Sequence, residues 1–560
     1  MNELILNTKR RIHRALMFKR PLFVSFSSGK DSSCVLALTL MCAREIKERM
    51  PDFKLAPIFV ITSNTMIENP EIFNGLINDI NDIQSYADKH NIHVESHLTQ
   101  PLLNDTFSVS IIGGRKLPRF PGDSQDCTDA WKIKPLAKLR NRLTKAYADI
   151  GEPITLVGTR FSESRERNDK MTLRQENAEE PWLNKDKKWY QSPIADWSED
   201  NVWSFLGDCR SGKIEAYSNF NNTFRLYADA SGTSCAVVAD MMFGQRTNNG
   251  GCGNRFGCAI CTVNTLDKSL TQMIKTDPRY HYMQGLNNLH TFLMNSRFDM
   301  DRRSWVGRTI DDDGYIAIGP DRYNPKMLDE LLCYSMTLDA NELEESMALG
   351  LESPRFQLVN LEQLIAIDAI WSRDGLHKPF HALKRFDEIY NKGKRYSIPN
   401  ITPFQRVTIP AARRLYVGEN FDQGVNFEDS GFNLPLLDVF ASDGCMQHTT
   451  SKKGNTVIDY ESEGSLTVDI EGASLVLELE LDKLLEKHND ASASVTDGYM
   501  YYITMGVLQL KNGMHDIVDM QLRRTHFLQR NNLLGNVNVD ELLKRSEPGV
   551  EQDGQIQLTL

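Results

Sequence analysis

In residues 22–42 of this 560-residue chain, a short apolar run stops in a turn of small polar residues, and a helix-like apolar run follows. The turn, residues 27–33, reads Ser-Ser-Gly-Lys-Asp-Ser-Ser. When a tight turn joins a strand to the start of a helix, the unpaired backbone N–H groups of the first helical turn and the positive end of the helix dipole point to the same place. This arrangement predicts an anion-binding site. The stretch lacks the spacer and ending of a Walker A loop. An ordinary strand-to-helix turn is the alternative.

The first 160 residues alternate short apolar strands with amphipathic helices. The predicted strands are Leu22–Ser27, Leu55–Thr62, His93–Leu98 and Ile154–Gly158, and the predicted helices span about 31–48, 70–90 and 130–149. Asn69 followed by Pro70 is typical of a capped helix start. This alternation predicts an α/β fold whose parallel sheet is covered on both faces. Ligands of such sheets lie at the carboxyl ends of the strands, where the turn 27–33 belongs.

The rest of the chain changes character several times. Residues 160–190 are polar and predict a loop over the site, and residues 231–268 are rich in Gly and Cys. Helical patterns return near 265–296, 325–350 and 361–371. After residue 399 the runs Ser465–Glu471 and Ser474–Leu479 alternate and predict a separate, partly β domain. We therefore predict four segments: a nucleotide-binding domain (1–225), a Cys-rich loop (226–275), a helical extension (276–399) and a C-terminal mixed α+β domain (400–560).

Charge and hydropathy restrict the class of protein. The net charge of −11 argues against a chain that coats nucleic acid uniformly. Basic residues are nevertheless dense in 9–20, 132–145 and 160–174, and these patches predict either polyanion contacts or solvated surfaces. No apolar run approaches the roughly 20 residues of a membrane span, and residues 1–20 have no apolar segment, so we expect no secretory signal there. We expect a cytoplasmic protein without a membrane partner, whose ten cysteines are mostly reduced.

Cysteines gather in the Gly-rich stretch after residue 231. Cys258 and Cys261 have the spacing of two ligands to one metal centre, and Cys252 is near enough in sequence to join them. Soft thiolates select zinc or iron–sulfur clusters. The paired Cys-x-x-Cys spacing of zinc ribbons is absent, which favours a cluster over structural zinc. Cys235 is the preferred fourth ligand and Cys127 the competitor; otherwise Cys127 is a sulfur carrier or a plain loop thiol.

The loop after the fourth predicted strand carries Gly158, Arg160 and Arg165. Its position at the end of a strand directs it to the same sheet edge as the turn 27–33. Arginine guanidinium groups can bind phosphate oxygens with two parallel hydrogen bonds. An exposed loop whose arginines pair with Glu163 and Glu166 is the alternative.

Several motifs together resemble a known enzyme family. They are the turn 27–32, Cys127 with Lys132–Leu136, Gly158–Arg160, Glu163–Arg165, Pro193–Trp203, Arg255–Ser269 and Leu361–Gly375. The set is similar to the PP-loop ATP pyrophosphatases of the PAPS-reductase type. Three of these motifs, Glu163–Arg165, Arg255–Ser269 and Leu361–Gly375, narrow the resemblance to DndC-type sulfurtransferases of DNA phosphorothioation, or their relatives of the SspD type. Ser28 stands where the family's loop has its first glycine.

The resemblance implies a fold and a chemistry. The fold would be a parallel, doubly wound PP-loop sheet of the adenine nucleotide alpha hydrolase type, with the helical and C-terminal α+β extensions. ATP and Mg²⁺ would bind, a DNA backbone phosphate would be adenylated, and sulfur from a cysteine desulfurase persulfide would replace oxygen. A 4Fe-4S cluster could deliver that sulfur. The partners would be DNA, the desulfurase and other subunits of a DNA-modification complex, in a restriction-modification or antiviral defence setting.

We therefore predict three sets of site residues. The catalytic set is Lys30, Asp31, Ser32, Arg160 and Arg165. The nucleotide-binding set is Ser25, Ser27, Ser28, Gly29, Lys30, Asp31, Ser32, Gly158 and Arg160. The cluster ligands are Cys235, Cys252, Cys258 and Cys261. The alternatives are a sulfonucleotide reductase, a tRNA thiolase, or a non-catalytic DNA-binding subunit with a degenerate loop.

Overall fold

A computed structural model describes residues 2–123, 126–231, 256–407, 413–419, 448–450, 456–458, 464–511, 513–535 and 537–548. The chain forms two compact units. The first consists of Met1–Pro101 with Gln125–Asn287, and the second of Leu102–Ser124 with Asn288–Leu560. The division into four segments drawn from the sequence stays a prediction.

The first unit is built on a six-stranded sheet in the order β3-β2-β1-β4-β6-β5. Its strands are Leu22–Ser25 (β1), Ile58–Ser63 (β2), Val94–Thr99 (β3), Ile154–Leu156 (β4), Trp182–Leu183 (β5) and Trp189–Gln191 (β6). All neighbouring strands are parallel except the edge pair β5 and β6. Parallel strands joined through helices require cover on both faces, and β1 and β2 are almost entirely buried.

Helices surround this sheet. They are Asn2–Met17 (α1), Lys30–Arg49 (α2), Pro70–Lys89 (α3), Asp126–Thr128 (α4), Lys134–Ala146 (α5), Arg165–Leu173 (α6), Glu199–Arg210 (α7), Asn221–Ser231 (α8) and Lys268–Thr276 (α9). The start of α3 is the predicted one: the Asn69 side chain accepts a hydrogen bond from the Glu71 N–H at 3.0 Å, and Pro70 is the first helical residue. Residues 33–43 of α2 are buried on every side, because the helix packs between the sheet, α1 and α7.

The second unit combines helices with antiparallel strands. Two long strands, Arg303–Ile310 and Tyr315–Tyr323, pair with each other and with Arg413–Tyr416, which pairs in turn with Glu547–Pro548. The short pairs are His448–Thr450 with Thr456–Ile458 and Leu466–Val468 with Leu508–Leu510. The helices are Gln284–Asn295, which contains the boundary between the units, Pro325–Ala348, Leu361–Arg373, His381–Phe386, Ile470–Leu475, Leu481–Asn489, Asp497–Thr504, His515–Arg530 and Val539–Arg545.

The α/β fold class is confirmed, and so are the four predicted strands of the first sheet, each within about three residues. Two local predictions are wrong. The stretch 160–190 contains α6 and the strands β5 and β6 rather than one loop. The segment 276–399 contains its predicted helices, and the hairpin 303–323 lies between them. The run Ser474–Leu479 is helical because its alternation is too short to exclude a helix.

In the described part of the chain, helices combining the length and the apolar character needed to cross a membrane do not occur.

Candidate functional site

The predicted anion-binding turn has the required backbone shape. Strand β1 ends at Ser25 and α2 begins at Lys30, with Gly29 as the residue before the helix. The first hydrogen bond of the helix runs from the Ser33 N–H to the Gly29 carbonyl at 3.0 Å. The N–H groups of residues 30–32 therefore have no partner within the helix and lie at its positive end. This arrangement can bind a phosphate group.

Two serine hydroxyls tie the turn to the helix start. The Ser27 and Ser32 hydroxyl oxygens lie 3.2 Å apart, and the Ser32 hydroxyl donates to the Gly29 carbonyl at 3.0 Å. Ser27 is exposed, whereas Ser32 is buried. The turn is held in shape by its own side chains, and the Ser27 hydroxyl remains accessible to a ligand.

Ser28, which replaces the family's first loop glycine, has a left-handed backbone with φ of 52°. Such a conformation is costly for a residue with a Cβ. The Ser28 hydroxyl donates a hydrogen bond to the Asp79 carboxylate on α3. Burial raises the pKa of Asp79 to about 6, against the opposing effect of the Ser28 hydrogen bond. The loop shape that glycine adopts freely is therefore supported here by a side-chain contact.

Asp31 is held by an arginine from the neighbouring strand end. The Arg160 Nε donates to the Asp31 Oδ1 at 2.6 Å, and its Nη1 donates to the Ser162 hydroxyl at 2.8 Å. Arg160 is only 2% exposed. The structure thus brings together two of the predicted catalytic residues from parts of the chain that are far apart in sequence.

Lys30 lies among negative and aromatic groups. Its Nζ is 3.6 Å from the Asp31 carboxylate, 3.5 Å from the Glu199 carboxylate and 5.2 Å from the centroid of the Tyr227 ring. Burial disfavours the charge, but Tyr227, Asp31 and Glu199 outweigh it, so the pKa of Lys30 is raised. Lys30 keeps its positive charge in a buried position at the turn 27–32.

Gly158 packs directly against the start of α2. A Cβ placed on Gly158 would lie 2.9 Å from the Asp31 carbonyl carbon and 2.9 Å from the Ser32 nitrogen. Backbone atoms cannot move aside as a flexible side chain can. The turn after β4 can approach the helix start only because residue 158 has no side chain.

The other predicted arginine is not part of this arrangement. Arg165 is exposed at the first position of α6, and no hydrogen bond or ion pair joins it to residues 27–32. The rest of the 160–174 patch forms pairs within the first unit, Arg167 with Glu163 at 2.6 Å and Arg174 with Glu176 at 2.6 Å. Arg167 and Arg174 therefore support the alternative in which arginines of this patch form ion pairs with neighbouring carboxylates.

The other two basic patches also contain internal pairs. On α1, Arg11 binds Asp196 at 2.8 Å, and in the second patch Lys132 binds Glu68 at 3.1 Å. Arg140 is buried, 4.8 Å from the centroid of the Tyr190 ring. Much of the positive charge that the sequence offered for polyanions is therefore used inside the first unit.

The first described cysteine of the Cys-rich stretch returns to the sheet. Cys258 forms an antiparallel bridge with Glu68, beyond the end of β2, and the Ala259 N–H donates to the Ile67 carbonyl at 2.8 Å. The Cys258 sulfur is 3.5 Å from the Thr65 hydroxyl. Since β1 and β2 are parallel, this places Cys258 at the same edge of the sheet as the turn 27–32.

Burial raises the pKa of Cys258 to about 12, and Glu68 adds to that rise while Lys132 opposes it. The pKa of Cys261 is raised as well, chiefly by burial, and Cys127 is close enough to contribute. Both thiols are therefore protonated at neutral pH unless a metal centre or a further positive group stabilises the thiolate.

One aromatic residue connects the two regions. The Tyr227 ring on α8 faces the Lys30 ammonium, and its centroid lies 5.1 Å from that of Phe256. Phe256 precedes Cys258 by two residues. The segment that carries Cys258 and Cys261 thus begins at Phe256, whose ring contacts the tyrosine that faces Lys30 of the turn 27–32.

Comparison with known proteins agrees with this geometry. Residues 21–212 match the phosphoadenosine phosphosulfate reductase domain family. The match spans the whole six-stranded sheet, the turn 27–32 and the Gly158–Arg160 turn. No curated protein is similar enough in sequence to count as a match.

Two solved structures illustrate the range of matches. FMN adenylyltransferase from Candida glabrata, solved with FMN and the ATP analogue AMPCPP, is 14% identical with a TM-score of 0.22, over 37% of this chain and 55% of its own. U34-tRNA thiolase NcsA from Methanococcus maripaludis, solved with its 4Fe-4S cluster, is 14% identical with a TM-score of 0.23, over 43% of this chain and 78% of its own. The chain thus spans about half the length of the adenylyltransferase.

Sequence reasoning missed three residues of the site in the reductase-like domain, namely Asp79, Glu199 and Tyr227. Glu199 follows Ser198, which caps α7 by accepting from the Asn201 N–H at 3.1 Å, so the helix start was predictable but its position beside Lys30 was not. Asp79 and Tyr227 lie within helices and carry no local signal.

The prediction of an iron–sulfur cluster depends partly on residues that the structure does not describe. Cys235 and Cys252 lie outside the described residues, whereas Cys127, Cys258 and Cys261 lie within them. Among the residues that the structure covers, no group of three His, Cys, Asp or Glu side chains could hold a metal ion. The ligand set Cys235, Cys252, Cys258 and Cys261 stays a prediction.

Proposed function

We propose that the chain is an ATP-dependent sulfurtransferase of DNA phosphorothioate modification. In this reaction a DNA backbone phosphate is adenylated with release of pyrophosphate, and sulfur from a desulfurase-derived persulfide then replaces the adenylated oxygen. Adenylation is required because a phosphodiester oxygen is a poor leaving group and AMP is a good one. A persulfide sulfur is more oxidised than the sulfur of a phosphorothioate, so a thiol must supply two electrons.

The turn 27–32 supports the first half of this chemistry. Its free N–H groups and the α2 dipole favour a triphosphate, and Lys30 with Arg160 would neutralise charge on the departing pyrophosphate. Mg²⁺ prefers oxygen ligands, which Asp31 and Ser32 offer at the same point. Arg165, exposed on α6, would contact the DNA rather than the nucleotide.

A single observation supports the second half most directly: Tyr227 links the phosphate-binding turn to the segment that carries Cys258 and Cys261. Sulfur chemistry and nucleotide activation would then occur at one edge of one sheet. The preference for DNA over other acceptors rests on the resemblance of residues 361–375 to the phosphorothioation enzymes.

The iron–sulfur cluster is part of this proposal. Cys235, Cys252, Cys258 and Cys261 would hold it, and when bound it would supply a site that retains sulfide. Protein purified without oxygen should be brown with broad visible absorbance. Colourless protein that contains one zinc per chain would contradict the cluster and favour structural zinc.

A sulfonucleotide reductase is the second candidate, because the matched family is the phosphoadenosine phosphosulfate reductase domain. Such an enzyme would release sulfite from phosphoadenosine phosphosulfate with a thiol reductant. It would not need ATP or DNA.

The deciding experiment has a cellular and a purified arm. Nucleotides from the DNA of cells with and without the gene are compared by mass spectrometry for a sulfur-for-oxygen change in dinucleotides. In the purified protein, pyrophosphate release from ATP is measured for wild type, Asp31→Ala and Ser32→Ala, with folding checked by circular dichroism. We expect the sulfur-containing dinucleotides only with the gene, and a loss of at least about 100-fold in both variants. Sulfite release without any change in DNA would favour the reductase instead.

A further inference from the structure

Five arginines converge in the second unit, outside the site described above. They come from five different elements or loops and are Arg115, Arg308, Arg322, Arg373 and Arg524. Arg322 and Arg373 are 6% and 7% exposed, and the other three are half-buried. A group of this size is unusual away from the surface, because each buried guanidinium loses hydration.

These side chains lie close enough to repel one another. Burial lowers the pKa of Arg115, and Arg373 and Arg308 lower it further. The pKa of Arg524 falls to about 10, chiefly through burial, and Arg373, Arg322 and Arg308 add to the fall while Asp374 opposes it. The five positive charges therefore share one environment.

Among the described residues, the negative charge near these arginines is too small to balance them. Asp374 binds Arg373 through two hydrogen bonds of 2.8 and 3.0 Å. Burial raises the pKa of Asp321, so its negative charge is disfavoured despite Arg322 and Arg308 beside it. Three described carboxylates, those of Asp374, Asp321 and Asp105, thus face five guanidinium groups, and Asp374 is already bound to Arg373.

Hydrogen-bond donors are also left over. The Arg322 Nη2 donates to the Val306 carbonyl and, at 3.3 Å, to the Gly307 carbonyl. The Nε atoms of Arg322 and Arg524 are buried, and neither has an acceptor among the residues that the structure covers. An unsatisfied buried donor costs about 1–3 kcal/mol, so an acceptor that binds there would recover that cost.

We propose that this arginine cluster is a second anion site, which binds a phosphate group. Guanidinium groups from several directions match the oxygens of a phosphate, which accept paired hydrogen bonds. The phosphate could belong to the backbone of a nucleic acid strand or be a free ion. The proposal does not depend on the chemistry assigned to residues 27–32.

The test measures binding of two probes, inorganic phosphate and a single-stranded oligodeoxynucleotide without terminal phosphates. Phosphate is titrated at constant ionic strength and followed by calorimetry and by Tm, and the oligonucleotide by fluorescence anisotropy at low salt. The chains compared are wild type, Arg308→Gln, Arg524→Gln and Arg308→Lys. Arg395→Gln is the matched control, because Arg395 lies in the same unit but pairs with Glu344 and Asn341.

We expect at least tenfold weaker binding of one or both probes in the two Gln variants, an intermediate loss in Arg308→Lys, and wild-type binding in Arg395→Gln. Weaker binding of the oligonucleotide identifies the backbone as the source, and weaker binding of phosphate alone identifies the free ion. The turn 27–32 is intact in all these chains, so a difference between them belongs to the cluster. Equal binding in all five chains, or no binding of either probe by wild type, would overturn the proposal.

A structural role gives a different result. If the arginines only hold the fold together, both Gln variants lower Tm in phosphate-free buffer and leave the phosphate-induced rise in Tm unchanged. The proposal requires the reverse: an unchanged or higher Tm without phosphate, and a smaller rise with it.

Discussion

The turn 27–32 of the first unit and the arginine cluster of the second both collect positive side chains, but their positive charges are balanced differently. In the turn, Arg160 and Lys30 each face a carboxylate, from Asp31 and Glu199. In the cluster, five guanidinium groups share three carboxylates among the described residues, those of Asp374, Asp321 and Asp105. Ion pairs hold the backbone of a site in shape, whereas buried charges without a partner lower stability until an anion binds and pairs with them. Removing an arginine should therefore have opposite effects on stability in the two regions.

The largest effect is expected from Arg160→Gln. This change removes the closer of the two ion pairs of Asp31, leaving only Lys30 at 3.6 Å, and it removes a fully buried side chain, so the free energy of unfolding should fall by about 3 kcal/mol. Pyrophosphate release should fall with it. Urea unfolding and a pyrophosphate assay measure the two effects. Arg165→Gln, at the exposed first position of α6, should change stability by no more than about 0.5 kcal/mol. Equal stability losses in the two variants would mean that the Asp31 pair does not hold the turn.

The two glycines of the site offer a second contrast. In Gly158→Ala the new methyl group meets backbone atoms of Asp31 and Ser32 at 2.9 Å, and stability should fall by about 2 kcal/mol. In Gly29→Ala the nearest atom is the Ser27 hydroxyl oxygen at 3.4 Å, and φ is −83°, so the fold should tolerate the change. Because Gly29 is predicted to face the phosphate, ATP binding should still weaken. Thermal unfolding and nucleotide titration separate the two effects, and a stable Gly158→Ala would show that the turn has more room than the structure gives it.

Asp79 should make stability depend on pH. Its pKa is about 6 in the folded protein and 3.8 in the unfolded chain, so the folded state binds the proton more tightly. Stability should therefore be greatest below about pH 4 and fall as the pH rises to 6, by about 3 kcal/mol for this group. Asp79→Asn keeps the acceptor for Ser28 but should abolish that part of the slope. Urea unfolding of both proteins between pH 4 and 7 tests this, and parallel curves would contradict it.

The smallest effect on stability is expected in the arginine cluster of the second unit. Arg524→Gln removes one of five mutually repelling charges and one unsatisfied donor, so stability without phosphate should stay the same or rise by up to about 1 kcal/mol. Urea unfolding in phosphate-free buffer provides the measurement. A loss of stability as large as that of Arg160→Gln would contradict the proposed difference between the turn 27–32 and the arginine cluster.

The sequence by itself determined the parts of the fold that depend on neighbouring residues. The apolar run, the small-residue turn and the following helix specified β1, the anion-binding turn and α2, and Asn69 with Pro70 specified the start of α3. The positions of these strands and helices were predicted correctly because hydrophobic periodicity and helix capping act over a few residues, whereas anion binding by the turn stays a prediction. The prediction for the short run Ser474–Leu479 was wrong because its local pattern fits two structures.

Only the tertiary structure decided how charges are paired. No local pattern places Arg160 on Asp31, Glu199 beside Lys30, or Asp79 under Ser28. The three basic patches are similar in sequence, yet many of their side chains form ion pairs within the first unit. The five arginines of the cluster, by contrast, are far apart in sequence and come together only in the folded second unit. The physical reason is that electrostatic pairing depends on distance in space, which sequence spacing fixes only within a single helix or strand.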